Sequence, residues 1–341
     1  MLTLCQLNAT ETIFVKKGSN GNGTSWASAF GDLQLALAKA QYGDQIWVAT
    51  GLYVPTNNQD RTVSFVINDG IQVYGGFEGT ETRLEDRNPD LFKTILSGEI
   101  GSASTNEDNS YTIIYTEGVS EHTVVDGFVI RDGVANGFGD TGDLTSSGAA
   151  WYNNGANGKV SSPSIRNCIF ESNYARDGGA IFNYANDGAC NPYIFACSFV
   201  ANKSDFDGGA IYNDGNYGVC SPIIRSCYFI ENESTYGSGV LNRGMRGEAR
   251  PVIEDCVFAG NTSIVRGSAV YNRTEDRGIV EPIMLTCRYE KNVSMVKEEV
   301  STTSQRMAIT NLEEGASSGS LVIRATNPAK TAADENVSYE D

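Results

Sequence analysis

Histidine is all but missing from this 341-residue chain: His122, in "SEHTVVDGF", is the single copy. Any Ser-His-Asp triad or histidine metal cluster would rest on that one residue, so it is assigned to strand packing. Basic residues are scarce too, with 25 Lys and Arg against 42 Asp and Glu and a net charge of −17. Such a surface repels nucleic acid and anionic membrane, and neither is expected as a partner. No apolar run approaches the length of a membrane-spanning helix, so no membrane insertion is expected. No two cysteines lie within four residues of each other, which argues against zinc. Proline is rare at 8, whereas glycine reaches 37 with 16 Tyr and 14 Phe, a balance that suits a turn-rich β protein better than a helical one.

The chain is repetitive. "GGAIFN" at 178–183 returns as "GGAIYN" at 208–213, "GSGVLN" at 237–242 and "GSAVYN" at 267–272, with a worn copy, "GAAWYN", at 148–153. A second motif keeps step with it. "SPSIRNCIFESN", "NPYIFACSFVAN", "SPIIRSCYFIEN", "RPVIEDCVFAGN" and "EPIMLTCRYEKN" end at Asn173, Asn202, Asn232, Asn261 and Asn292. The cysteines of this motif, Cys168, Cys197, Cys227, Cys256 and Cys287, are 29 to 31 residues apart. A period near 30 means a solenoid, and strand formers between Gly and Asn turns, without apolar i, i+3, i+4 spacing, make it a β solenoid.

The fold expected is therefore all-β, a single-stranded right-handed parallel β-helix. Equivalent residues then stack at roughly 4.8 Å, which rewards identity down a column. The cysteines and Phe170, Phe199, Phe229, Phe258 and Tyr289 should stack inward, and the asparagines should form amide ladders at the corners. Stacked thiols have the wrong orientation for disulfides, so free buried cysteines are expected. "FGDLQLALAKAQYGD" places Phe30, Leu33, Leu37 and Ala40 on one face and reads as a short N-terminal capping helix that stops at Gly43.

Along the chain, residues 1–11 read as a terminal segment, the remnant of an export signal. Leu4 stands where a lipoprotein signal would want a small residue before Cys5. Residues 12–295 read as the β-helix, with the cap and irregular coils at 12–145 and regular coils of about 30 residues at 146–295. Residues 296–341 read as a cap strand at "SLVIRA" followed by a flexible acidic tail.

The pairing of Gly-Gly-Ala-Ile with Phe-x-x-Asn, at Gly178 to Ile181 with Phe170 and Asn173 and at Gly208 to Ile211 with Phe199 and Asn202, resembles the repeat of the chlamydial polymorphic outer-membrane proteins. The run from Ile13 to Val54 looks like the opening of secreted bacterial pectate-lyase-like β-helices. Together the likeness covers roughly residues 12–292. It implies the fold and an extracellular or bacterial cell-surface location more firmly than an activity, because this architecture hosts adhesins, lyases and hydrolases alike. No outer-membrane barrel is recognised at the C-terminus, and anchoring by that route is not expected. The Asn-Thr-Asp, Asp-Asp, Gly-His-Gly and Arg-Ile-Lys signatures of polygalacturonase-like enzymes are absent.

Eight Asn-x-Ser/Thr sequons occur, and those at Asn202, Asn232, Asn261, Asn272 and Asn292 coincide with ladder positions, so they are assigned to structure and not to glycans. Asp177 and Asp207 share a column before the glycines and should lie one coil apart, near the spacing of a retaining glycosidase pair, with Arg176 as an accompanying cation. Asp205 and Asp207 are the candidate ligands for calcium, the only cofactor considered. The plain alternative is exposed turn aspartates in Asp-Gly corners. Alternation sends the residue after each inward aliphatic outward, so Tyr152, Phe182, Tyr212 and Tyr271 are expected to form an exposed aromatic platform for a polysaccharide or glycan. The rival is that loops following each asparagine bury those rings. A monomeric binding or adhesion module is the first functional reading, a polysaccharide lyase or glycoside hydrolase the second, and a structural spacer the third.

Overall fold

Ile165 and Phe170 are fully buried, while Arg166, Ile169 and Glu171 beside them reach solvent, so each short segment of the coil is a strand with one face on a core. A computed structural model describes residues 10–296 and the strand Arg306–Ile309. The chain forms a right-handed parallel β-helix of about nine turns. One coil shows its five walls in order: Ser164–Arg166, Ile169–Glu171, Tyr174–Asp177, Ile181–Tyr184 and Ala189–Cys190. Stacked coils turn these walls into parallel sheets of nine, eight, six, eight and five strands. Arg306–Ile309 is the exception, running antiparallel along Val270–Glu275 at the end of the fourth wall. The cap strand expected within 320–325, and the tail, lie outside the described residues.

Register explains the repeated letters. Ile165, Ile194, Ile224, Ile253 and Met284 pair down the first wall and face the core. Phe170, Phe199, Phe229, Phe258 and Tyr289 pair down the second, their rings stacked 4.6 to 5.4 Å apart and within 10° of parallel. The coil spacing imposes that face-to-face stack, in which one ring covers the next. Cys168 to Cys287 form the expected inward column of free thiols, each Sγ 3.5 to 3.8 Å from a first-wall carbonyl of the preceding coil. Cys190 and Cys220 pair in register down the fifth wall and are also free and buried.

Both asparagine ladders are present. Asn153, Asn183, Asn213, Asn242 and Asn272 pass amide hydrogen bonds of 2.8 to 3.0 Å from one coil to the next. Asn173, Asn202, Asn232, Asn261 and Asn292 do the same at 2.8 to 3.0 Å, and each also donates to a second-wall carbonyl. In this second ladder the amide oxygens of Asn202, Asn232, Asn261 and Asn292 also accept from the backbone N–H of the preceding ladder asparagine, so the amides satisfy backbone groups that the corner would leave without partners.

The first coil is closed by the helix Leu33–Lys39, N-capped by Asp32, whose carboxylate accepts from the Gln34 amide at 2.9 Å. Leu33, Ala36 and Leu37 cover the core, with Phe30 and Ala40 packed beside them. The helix ends before Gly43, because Ala40 is already extended. His122 departs from expectation: it lies exposed in the turn before Val124–Asp126, edge-on to the Tyr42 ring at 6.2 Å. Ser120, bound to Asp69 through its amide and hydroxyl, holds that turn outside the strand.

Candidate functional site

The hexapeptide is the point where the third wall runs past its corner and folds back over the outside of the fourth. Gly208 turns there with φ +67, and a Cβ on it would sit 2.8 Å from the Cβ of Tyr212. Gly267 has φ +72 and the same relation to Tyr271, at 2.5 Å. Only glycine combines the left-handed turn with so close an approach. The overhang therefore lies on the aromatic column.

That geometry corrects the platform. Tyr152 is 3% exposed, and Phe182, Tyr212 and Tyr271 are fully buried. They form a second apolar cluster with Leu241, flanked by Tyr115, Leu144, Tyr184 and Tyr236. The rings are packed from both sides, by Leu144 and Tyr236 ahead of the glycines and by Tyr184 and Arg273 directly after the asparagines. The loop 137–147 adds to this packing, with Gly142 accepting from the Tyr152 hydroxyl. No sugar ring can reach these faces.

The carboxylates are buried by the same overhang, which corrects the exposed-turn alternative. Asp177 and Asp207 pair in register, as their shared column requires, and are 1% and 6% exposed. Arg176 donates to Asp177 Oδ2 at 2.6 Å, Thr141 donates to the same oxygen at 2.9 Å, and Asp177 Oδ1 is left without a partner. Arg273 grips both oxygens of Asp207, at 2.6 and 2.8 Å. Burial, and then the neighbouring Asp207, push Asp177 up to about 6 against the pull of Arg176. Asp214, the next outward position after Asn213, is also pushed up to about 6, chiefly by burial and against Arg243 at 4.0 Å.

These groups form a neutralised internal seam. Asp177 and Asp207 are closed to a polymeric substrate, and Arg176 clips the loop 137–147 through Thr141 at 2.8 Å. Asp205 faces solvent and accepts from the Tyr174 hydroxyl at 2.7 Å, whereas Asp207 faces Arg273, so the calcium pair does not converge. Among the described residues no group of three or more His, Cys, Asp or Glu side chains could hold a metal ion.

A different face is open. The loop 84–93 stands against the corner between the first and second walls and encloses a groove of about 490 Å³. Arg87, Pro89 and Lys93 line the loop side, and Asn167, Ala196 and Ser198 line the coil side. Asn167 and Ala196 hold φ +49 and +52, the corner conformation that carries the chain from the first wall to the second. Arg87 is tied to Asp126 at 2.7 Å, and Asn167 donates to the same oxygen at 2.9 Å, so the loop is pinned to the coils.

Beside the groove, Tyr193 and Phe195 flank the buried Ile194 and both point outward. Their rings are stacked, with centroids 5.9 Å apart and planes within 8° of parallel. The sequence carried a signal for this pair, since "YIF" alternates about an inward isoleucine. The groove itself depends on where the irregular early loop docks, and no periodicity reports that.

Comparison with known proteins agrees with the repeat. The Chlamydia polymorphic membrane protein repeat matches residues 167–184, which run from the first corner through the overhang into the fourth wall. Among solved structures, the pectin methylesterase from Aspergillus niger in deglycosylated form is similar with a TM-score of 0.40 and 16% identity, covering 87% of this chain and 92% of the esterase. The same enzyme in penultimately deglycosylated form, which keeps an N-acetylglucosamine stub, gives 0.36 and 17%, with the same coverages. The likeness is one of fold, and the esterase activity belongs to the Aspergillus enzyme. No curated protein sequence matches the chain. This is a parallel β-helix, one coil of which is similar to the Chlamydia polymorphic membrane protein repeat. No described helix is long and apolar enough to cross a membrane.

Proposed function

We propose that the protein is a binding module displayed at a bacterial surface or secreted, and that it holds a polysaccharide or host glycan on the outer corner of its first and second walls. The observation that carries this reading is the stacked, outward and half-exposed Tyr193–Phe195 pair beside the groove. Flat aromatic faces next to polar groups suit sugar rings, which offer apolar C–H faces and hydroxyl edges. Ile223, 43% exposed, continues the Tyr193 column on the next coil, and Tyr228, 47% exposed, opens the adjoining second-wall strand. The same two outward positions hold Ser164 and Arg166 on the coil before and Ile223 and Arg225 on the coil after, so the aromatic pair is one step on a surface whose backbone, not its side chains, repeats along the axis.

The lyase or hydrolase reading loses its proton-transfer candidates, because Asp177 and Asp207 are enclosed. A glycan array tests the proposal. Wild-type protein should give hits that weaken about tenfold, or roughly 1.4 kcal/mol, in Phe195→Ala. An array with no hits leaves the structural spacer as the remaining role.

A further inference from the structure

We infer that the ligand of this groove is a linear, uncharged polysaccharide laid parallel to the solenoid axis; this rests on the glycan-binding reading above. Direction follows from the lining. Gly127–Val129, Asn167–Ile169 and Ala196–Ser198 contribute to the groove from three successive coils, so its floor runs about 10 Å along the axis at the spacing of parallel strands. A compact ligand would need contacts converging from within one coil. Here the repeated element is the corner itself, carried on by Ser226, Asp255 and Thr286 in the same left-handed conformation.

The absence of charge follows from how the polar groups are spent. Arg87, the most enclosed cation of the groove, gives one nitrogen to Asp126 at 2.7 Å and another to the Gly75 carbonyl at 3.0 Å. Lys93 faces Asp90 at 3.5 Å, and Arg83 faces Glu85 at 3.2 Å. Farther along, Arg225 is held by Glu254. Arg166 has no carboxylate partner among the described residues, but its guanidinium lies over the Tyr193 ring at 5.9 Å and its Nε donates to Ser164. Among the described residues flanking the groove, Arg166 is the one cation without a carboxylate partner, and it sits in the field of a chain with net charge −17. A polyuronate would meet that field without a line of free cations to offset it, whereas a neutral chain needs only apolar faces and hydrogen-bonding edges.

The experiment is calorimetric titration with a panel of neutral linear hexasaccharides (glucan, xylan, mannan) and uronate hexasaccharides, on wild type, Tyr193→Ala and Phe195→Ala, each checked for native circular dichroism. At least one neutral hexasaccharide should bind, lose about tenfold in affinity in Phe195→Ala, and change less than about twofold between roughly 50 and 500 mM NaCl. Preferred binding of a uronate, Phe195-dependent and weakening steeply with salt, would overturn the uncharged ligand and keep the glycan site. Binding that ignores both substitutions, or no binding to any member of the panel, would overturn both.

Discussion

Arg273 reaches across the buried seam to Asp207, two coils earlier, and closes both carboxylate oxygens at 2.6 and 2.8 Å while its guanidinium passes the rings of Tyr236 and Tyr271 at 5.0 and 5.5 Å. A bidentate pair this enclosed anchors the end of the third wall onto the fourth.

Breaking that pair from one side is expected to be costly. Arg273→Ala leaves Asp207 charged and buried and should lower unfolding stability by about 3 to 5 kcal/mol. Adding Asp207→Asn should recover part of the loss, because the uncompensated charge goes with it. Urea melts of the two variants check this, and equal stability of the single variant and wild type would mean that the seam is open to water.

The same seam sets a pH dependence. Asp177 and Asp214 are raised to about 6 in the folded protein, above an unfolded value near 4, so the folded state prefers them protonated. The stability they contribute is complete below about pH 4 and is lost as pH rises through 6. The groups facing them are Asp207, Arg176 and Thr141 at Asp177, and Arg243, the Asn216 amide, Asp177 and Asp207 at Asp214. Thermal melts between pH 4 and 7 should show stability falling with pH, and Asp177→Asn should remove about half of the slope. A melting temperature that rises over this window in wild type would reverse the assignment.

Asn213 accepts from Asn183 and donates to Asn242, both at 2.8 Å, so its removal unpairs one amide on each side. Asn213→Ala should cost roughly 1 to 3 kcal/mol, whereas the exposed Asn57→Ala should change little. Chemical denaturation of the two variants gives the comparison, and matched midpoints would speak against the ladder.

The thiol column makes a chemical prediction. Burial pushes Cys190 and Cys197 well above the ordinary thiol range, and Cys227 is fully enclosed. In a Cys5→Ser background the native protein should react slowly with a thiol reagent, first at Cys287, which is only partly buried. Cys227→Ala should cost about 1 to 3 kcal/mol, and Cys227→Ser more, because it buries a hydroxyl. Rapid labelling of five or more thiols would contradict the inward stack.

Periodicity made the walls, the two ladders and the aromatic stack legible, because a column of identical residues has one geometry in a parallel β-helix. Alternation also sent Phe182 and Tyr212 to the outside of the fourth wall, which is where they lie. What it could not show is a second layer. The left-handed Gly208 lets the third wall double back over that outer face, so outward-facing and exposed ceased to be the same thing. The groove was invisible for another reason: Arg87 and Asp126 belong to the irregular early coils, and their ion pair joins segments 39 residues apart with no repeat to reveal it.

Methyl NMR of isoleucine- and leucine-labelled protein, titrated with the tightest-binding neutral hexasaccharide, tells the outer corner from the buried column in one spectrum. Ile169, in the groove lining, and Ile223, exposed on the next wall surface, should shift. Leu144 and Leu241, against the hexapeptide rings, should stay still. Shifts centred on Leu144 and Leu241, with Ile169 and Ile223 unmoved, would contradict a binding face on the first and second walls.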